Sequence, residues 1–111
     1  MENKEATLSD GTPVKNVYVR WLINNEHDGA QNFAMRLFEI KPRTSVPLHN
    51  HPQDHEIYIL SGNGKFYNDK GKEEKVVSGD VLYIPPNENH AIENLGKEDL
   101  IFLCLIPYLN K

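Results

Sequence analysis

The chain has 111 residues, with 12 Lys and Arg against 16 Asp and Glu, for a formal charge of −4. A chain this long is expected to form one core that buries roughly 60 to 68% of the surface its unfolded form exposes, which leaves no room for a two-domain enzyme. The acidic balance, with no Lys/Arg-rich run, argues against a nucleic-acid partner, because phosphate recognition depends on a basic face.

Taken in chain order, residues 1 to 13 read as a polar N-terminal arm that can pair as an edge strand, closed by the turn signal Asp10-Gly11-Thr12-Pro13. Residues 14 to 111 read as the folded domain. Short runs rich in β-branched, aromatic and alternating residues follow: Val14 to Ile23, Phe33 to Ile40, Ser45 to His51, His55 to Ser61, Lys65 to Asn68, Glu73 to Val77, Val81 to Ile84, His90 to Asn94 and Leu100 to Ile106. Turn residues separate them, among them Asn24-Asn25, Asp28-Gly29, Ser61-Gly62-Asn63-Gly64, Ser78-Gly79-Asp80 and Pro85-Pro86-Asn87. No window carries a sustained 3.6-residue apolar period, so little or no helix is expected. Many short strands in one small chain predict an all-β fold closed into a barrel or jelly roll, which protects strand edges and encloses space for side chains or one small ligand.

Of the five histidines, three fall within seven residues: His49, His51 and His55. In an extended strand His49 and His51 point to one face. With Pro52-Gln53-Asp54 as a turn, an antiparallel partner starting at His55 would bring a third imidazole across from them. Converging imidazoles suit a divalent first-row metal at ~2.0 to 2.3 Å per bond. Ile57 and Ile59 share the His55 face and direct it to the core. His27, between Glu26 and Asp28, reads as a solvent-exposed turn residue.

A second segment, Gly79 to Asn94, reads as a strand, a Pro-rich turn and a further strand opening at His90. Together the two segments resemble the paired motifs of the cupins. His49 and His51 match the family's HXH pair and Gly62 the glycine closing the first motif; Gly79, Pro85, His90 and Asn94 match the second without a gap. The chain departs from the pattern at three places. Arg43 and Asn87 replace glycines, and His55 occupies the position of the family's glutamate ligand. Glu56 would be that glutamate if the alignment slipped by one, but strand alternation sends His55 and Glu56 to opposite faces.

The resemblance is to the small single-domain cupins, and most closely to the manganese-binding ones with four histidine ligands. It implies a single-domain jelly-roll β-barrel and one divalent transition metal, Mn foremost, with Fe, Zn, Cu or Ni as alternatives, held by His49, His51, His55 and His90. Exchanging a carboxylate for an imidazole leaves the site at +2 instead of +1, which makes the metal a harder electrophile and a poorer reductant. Open coordination positions would serve a small-molecule substrate in a dioxygenase-like oxidation. A non-catalytic metal- or ligand-binding sensor and a metal-dependent sugar isomerase or epimerase are the alternatives, the latter weakened by the lack of an evident general base.

Candidate pocket-lining residues are Arg36, Phe38, Ile57, Ile92, Phe102 and Cys104. Arg36, amid Met35, Leu37 and Phe38, reads first as an edge or interface residue and second as a pocket cation for an anionic substrate group. Cys104 reads first as an inert core thiol and second as a neighbour of the metal. Tyr58 and Tyr83 read as packing residues, and Tyr18, Trp21 and Phe33 as core or interface. Leu100 to Ile106 is apolar on both faces, which predicts a homodimer. The lone Cys104 allows no intramolecular disulfide, the segment Met1 to Asp10 is too polar for a signal peptide, and no apolar run nears the ~20 residues that span a bilayer. A cytoplasmic protein with no membrane partner is therefore expected.

Overall fold

The computed structural model describes residues 4–8 and 11–109. Ten strands run in chain order: β1 (Lys4–Thr7), β2 (Pro13–Ile23), β3 (Phe33–Ile40), β4 (Ser45–His49), β5 (His55–Ser61), β6 (Asn63–Asn68), β7 (Glu73–Val77), β8 (Val81–Ile84), β9 (His90–Asn94) and β10 (Leu100–Pro107). One helical turn, α1 (Asn25–Asp28), lies between β2 and β3. Asn24 caps it by accepting from the His27 amide, and Gly29 ends it at φ 72°. His27 is exposed, as expected. The arm contributes a paired strand, with β1 antiparallel to β2 at the sheet edge; Asp10 of the anticipated turn lies outside the described residues.

The strands form a six-stranded sheet, β1-β2-β3-β10-β5-β8, and a four-stranded sheet, β4-β9-β6-β7, with every pairing antiparallel. Their inner faces pack together as an all-β jelly-roll barrel. Alternation is clearest in β5, where His55, Ile57 and Ile59 are buried and Glu56, Tyr58 and Leu60 exposed. Phe102 of β10 joins the two sheets. Its ring stacks on Phe38 of its own sheet at 5.3 Å and meets Phe66 of the other edge-on at 5.7 Å.

Three expectations change. β4 ends at His49, so His51 sits in the loop beyond the strand. β5 does not pair with β4: it lies between β10 and β8, while β4 pairs with β9 in the opposite sheet. β6 begins at Asn63, two residues earlier than expected, because Gly62 alone makes the step from one sheet to the other. β10 is buried on its Leu100, Phe102 and Cys104 face and only half-buried on the other.

Gly62 has φ 97°, and a Cβ there would stand 2.5 Å from the Asp99 carbonyl oxygen, so no other residue fits this crossing. Arg43 and Asn87, which stand where the motifs carry glycine, both adopt left-handed backbone at φ 61° and 62°. The backbone shape of the motif is thus retained without its glycines, at a steric cost that is larger for Arg43 than for Asn87.

Asn94, 4% exposed, fastens β9 to the rest of the barrel. Its side-chain amide donates to the carbonyls of Ile40 and Glu98 at 2.8 Å each and accepts from the Gly96 amide at 2.8 Å. Asn94→Ala removes all three bonds, and a loss of about 2 to 4 kcal/mol is expected in urea unfolding with an unchanged m-value. A loss below about 0.5 kcal/mol would show that this residue does not tie the sheets together.

Candidate metal centre

Four imidazoles meet in the barrel, two from the four-stranded sheet, one from the six-stranded sheet and one from the loop between them. His90 opens β9 and His49 ends β4, and they are cross-strand partners with ring centroids 4.3 Å apart. A register shift between Val46 and His49 aims His49 inward. His51 enters from the loop after β4, and His55 opens β5 in the opposite sheet. The His51 ring lies 4.2 Å from that of His55 and 5.2 Å from that of His90. His49, His51 and His90 each offer a ring nitrogen within 4.8 Å of the other two. His55 stands outside this tightest trio, with its centroid 5.8 Å from that of His90. Glu56 is exposed on the outer face of β5, turned away from the cluster.

The hydrogen bonds of the far ring nitrogens fix the orientation of the cluster. His49 Nδ1 donates to the Pro47 carbonyl at 2.8 Å, His51 Nδ1 to that of Gln53 at 2.9 Å, and His90 Nδ1 to that of Glu88 at 2.9 Å. A carbonyl only accepts, so each Nδ1 carries the proton and each Nε2 is left with a lone pair, the form a metal ligand needs. At His55 the partner of Nδ1 is the Cys104 sulfur at 2.9 Å, and Nε2 is buried with no hydrogen-bond partner. An orphaned ring nitrogen on a residue only 7% exposed is costly unless something binds it.

Burial favours the neutral form of His51, His55 and His90. Burial, reinforced by the Arg36 guanidinium and the neighbouring imidazoles, pushes His55 down to about 2. Burial also pushes His90 down to about 4, opposed by its bond to the Glu88 carbonyl. His51 is lowered for the same reason, opposed by its bond to Gln53. Neutral imidazole is the ligating form, so at these three residues the fold favours the protonation state that a cation requires.

The loops around the cluster are cross-braced by residues that strand patterns do not single out. The left-handed turn at Asn87 aims its amide at the His51 carbonyl, 2.9 Å away. Asn50 donates to Asn89, which donates to Asp69, and Asn68 donates to Glu88. The one sequence signal for this network is a clustering of Asn beside the motifs.

The histidines open onto a cavity of about 330 Å³. Arg36, Phe38, Ile57, Ile92, Phe102 and Cys104 all line it, joined by Gln53 and by Ala6, Thr7 and Leu8 of the arm. Arg36 and Cys104 both face this cavity. Arg36 is not an edge residue: its guanidinium turns inward, 4.9 Å over the Phe38 ring and 5.4 Å over that of Trp21. Cys104 is buried beside the cluster, accepting from Arg36 at 3.2 Å, and burial raises its thiol against the opposing pull of Arg36. Phe33 is 56% exposed and contributes nothing to the core. Tyr83 donates to Asp54 on the outer surface at 3.0 Å, away from the cavity.

A family model for the cupin domain matches residues 36–106, which takes in both histidine segments and the strands that carry them. The chain belongs to the cupin family. This cupin is 43% identical over 84 residues to an oxalate-binding protein of Thermotoga maritima, an alignment covering 75% of this chain and 67% of that one. Its fold matches that of the polyketide cyclase RemF from Streptomyces resistomycificus with a TM-score of 0.82 at 30% identity, covering 96% of this chain and 72% of that one. It also matches a predicted oxalate decarboxylase from Thermotoga maritima with a TM-score of 0.78 at 29% identity, covering 98% and 94%. The barrel and its histidine cluster are compatible with a divalent metal, and no helix among the described residues is long and apolar enough to cross a membrane.

Proposed function

We propose that this cupin holds one divalent transition metal through the Nε2 atoms of His49, His51, His55 and His90 and uses it on a small molecule bound in the cavity, in a dioxygenase-like oxidation. The observation that carries this reading is the buried, partnerless Nε2 of His55, facing a cluster whose other three Nδ1 atoms are already committed to carbonyls. An all-imidazole donor set suits Fe, Cu, Zn or Ni, and the likeness to four-histidine cupins adds Mn as the favoured ion. When bound, the ion would supply Lewis acidity and, for Mn, Fe or Cu, redox chemistry.

The chain's own residues bind, orient and exclude water. Phe38, Ile57, Ile92 and Phe102 make the cavity wall apolar, which shields the histidine end from solvent. No Asp, Glu, Lys or Tyr is among the described residues lining it, so a proton-shuttling isomerase or epimerase finds no base there. Ligand binding without turnover is the second reading, supported by the name of the oxalate-binding relative.

Metal analysis of protein purified without added metal tests the site. Near-stoichiometric divalent metal is expected. Less than about 0.2 equivalents, with unfolding unaffected by a chelator, would overturn it. Dioxygen uptake by metal-replete protein over a panel of small carboxylic acids separates oxidation from binding alone.

A homodimer in the cytoplasm also fits. Met35, Leu37, Leu103 and Leu105 make a half-buried outer face on the six-stranded sheet, beside exposed Tyr58, Val81 and Tyr83. Sedimentation at micromolar concentration is expected to show two copies, and a monomer there would refute the dimer.

A further inference from the structure

Arg36 is the only formally charged residue among the described ones lining the cavity. No carboxylate of the described residues pairs with it: the ion pairs of the fold use Arg20, Lys41, Lys65 and Lys72 instead. Its Nε is buried without an acceptor, and its NH2 group donates only to the weakly accepting Cys104 sulfur at 3.2 Å. A cation withdrawn from water into an apolar cavity and left so poorly paired is unfavourable for folding by itself.

The position of the guanidinium is nevertheless well defined. The rings of Phe38 and Trp21 flank it at 4.9 and 5.4 Å, and strand register places all three on one inner face, with Arg36 opposite Trp21 on β2 and opposite Cys104 on β10. Stacking on aromatic faces fixes the plane of the fork and leaves its edges for hydrogen bonding. The matching partner is a planar oxyanion that accepts two parallel N–H bonds.

We infer that Arg36 is the residue that selects an anionic ligand: a small carboxylic acid whose carboxylate pairs with the guanidinium while a second oxygen donor faces the histidines. The inference rests on the metal-centre reading for the far end of the ligand, but not for the carboxylate end. It narrows the substrate class to small organic acids with two oxygen-bearing ends, such as dicarboxylates, and it excludes neutral sugars and simple alcohols. The lining supplies no negative charge to oppose such a ligand.

The test is calorimetric titration of the protein as purified with oxalate, malonate and succinate, and with succinamide as the neutral counterpart. Wild type is compared with Arg36→Met, which keeps a stem to pack between the rings, and with Arg36→Lys, which keeps the charge but not the fork. Metal content is measured in all three. At least one dicarboxylate is expected to bind wild type. Arg36→Met should weaken it by about 30-fold or more, Arg36→Lys by an intermediate factor, and the metal content should be unchanged. Three results would each overturn the inference: no dicarboxylate binding wild type, both variants binding as tightly as wild type, or succinamide binding as tightly as succinate. A wild type that carries no metal counts against the four-histidine centre alone, because the effect of Arg36 is then read in the metal-free protein.

Discussion

Replacing His55 by alanine is expected to lower the metal content of the purified protein at least tenfold, while Glu56→Ala leaves it within a factor of two. Both neighbours carry a side chain able to bind a metal, and the strand turns them in opposite directions. His55 is 7% exposed and turns into the cavity, whereas Glu56 is exposed on the outside of β5. Loss of a directly ligating atom exceeds the 10- to 100-fold that loss of an outer hydrogen-bond partner typically costs in metal affinity, so tenfold is a lower bound. The substitution is not expected to unfold the metal-free protein. It removes a buried ring whose Nε2 has no partner, and the change in metal-free stability should stay within about 1 kcal/mol. Equal retention of metal by the two variants would count against His55 as a ligand, and the reverse order would show that Glu56 completes the site in its place.

Acid should destabilise the metal-free fold steeply. Unfolded histidine titrates near 6.5, whereas burial holds His90 at about 4 and His55 at about 2 in the fold. Between those values the unfolded chain binds more protons than the native one, so stability rises with pH and is lost as pH falls below about 6.5. The loss through His90 levels off near pH 4, and that through His55 continues below it. By pH 5 each of the two costs on the order of 2 kcal/mol relative to pH 7.5, enough to remove a large part of a small domain's stability. Bound metal should oppose this loss at neutral pH and leave as the imidazoles protonate. Urea midpoints of the chelated protein measured from pH 7.5 to 5 provide the check, and a flat series would mean that the histidines are not buried as neutral rings.

How much of this was legible in the sequence depends on the range over which each feature is decided. Strand positions follow from local alternation, and β5, β8 and β9 begin and end where the pattern and turn residues put them. The motif spacing also pointed to His49, His51, His55 and His90, whose rings the pairing of distant strands brings together. Pairing is a long-range property. The step from β5 to β6 at Gly62 changes sheet, and nothing local to His55 shows that its neighbours are β10 and β8 and not β4.

The placements that depend on such pairing are the ones the sequence leaves open. Arg36 in an apolar run looks like an edge residue until Trp21, from a strand fifteen positions earlier, lies beside it. Cys104 is the buried core thiol its surroundings suggest, and only the pairing of β10 shows that it also touches His55, 49 residues away in the chain. His51 still reaches the cluster although its strand stops two residues short, because its bond to the Gln53 carbonyl orients the ring in place of strand geometry. Where the motif loses its glycines at Arg43 and Asn87, the backbone keeps the left-handed turn, so the departure in sequence is not one in shape.

The most direct test of the four-histidine centre is a crystal structure with anomalous scattering recorded at the absorption edge of the metal found in the purified protein. One peak is predicted, bonded to the Nε2 atoms of His49, His51, His55 and His90 at ~2.0 to 2.3 Å. No peak in the cluster, or an ion held by three histidines with the His55 Nε2 still bare, would contradict it.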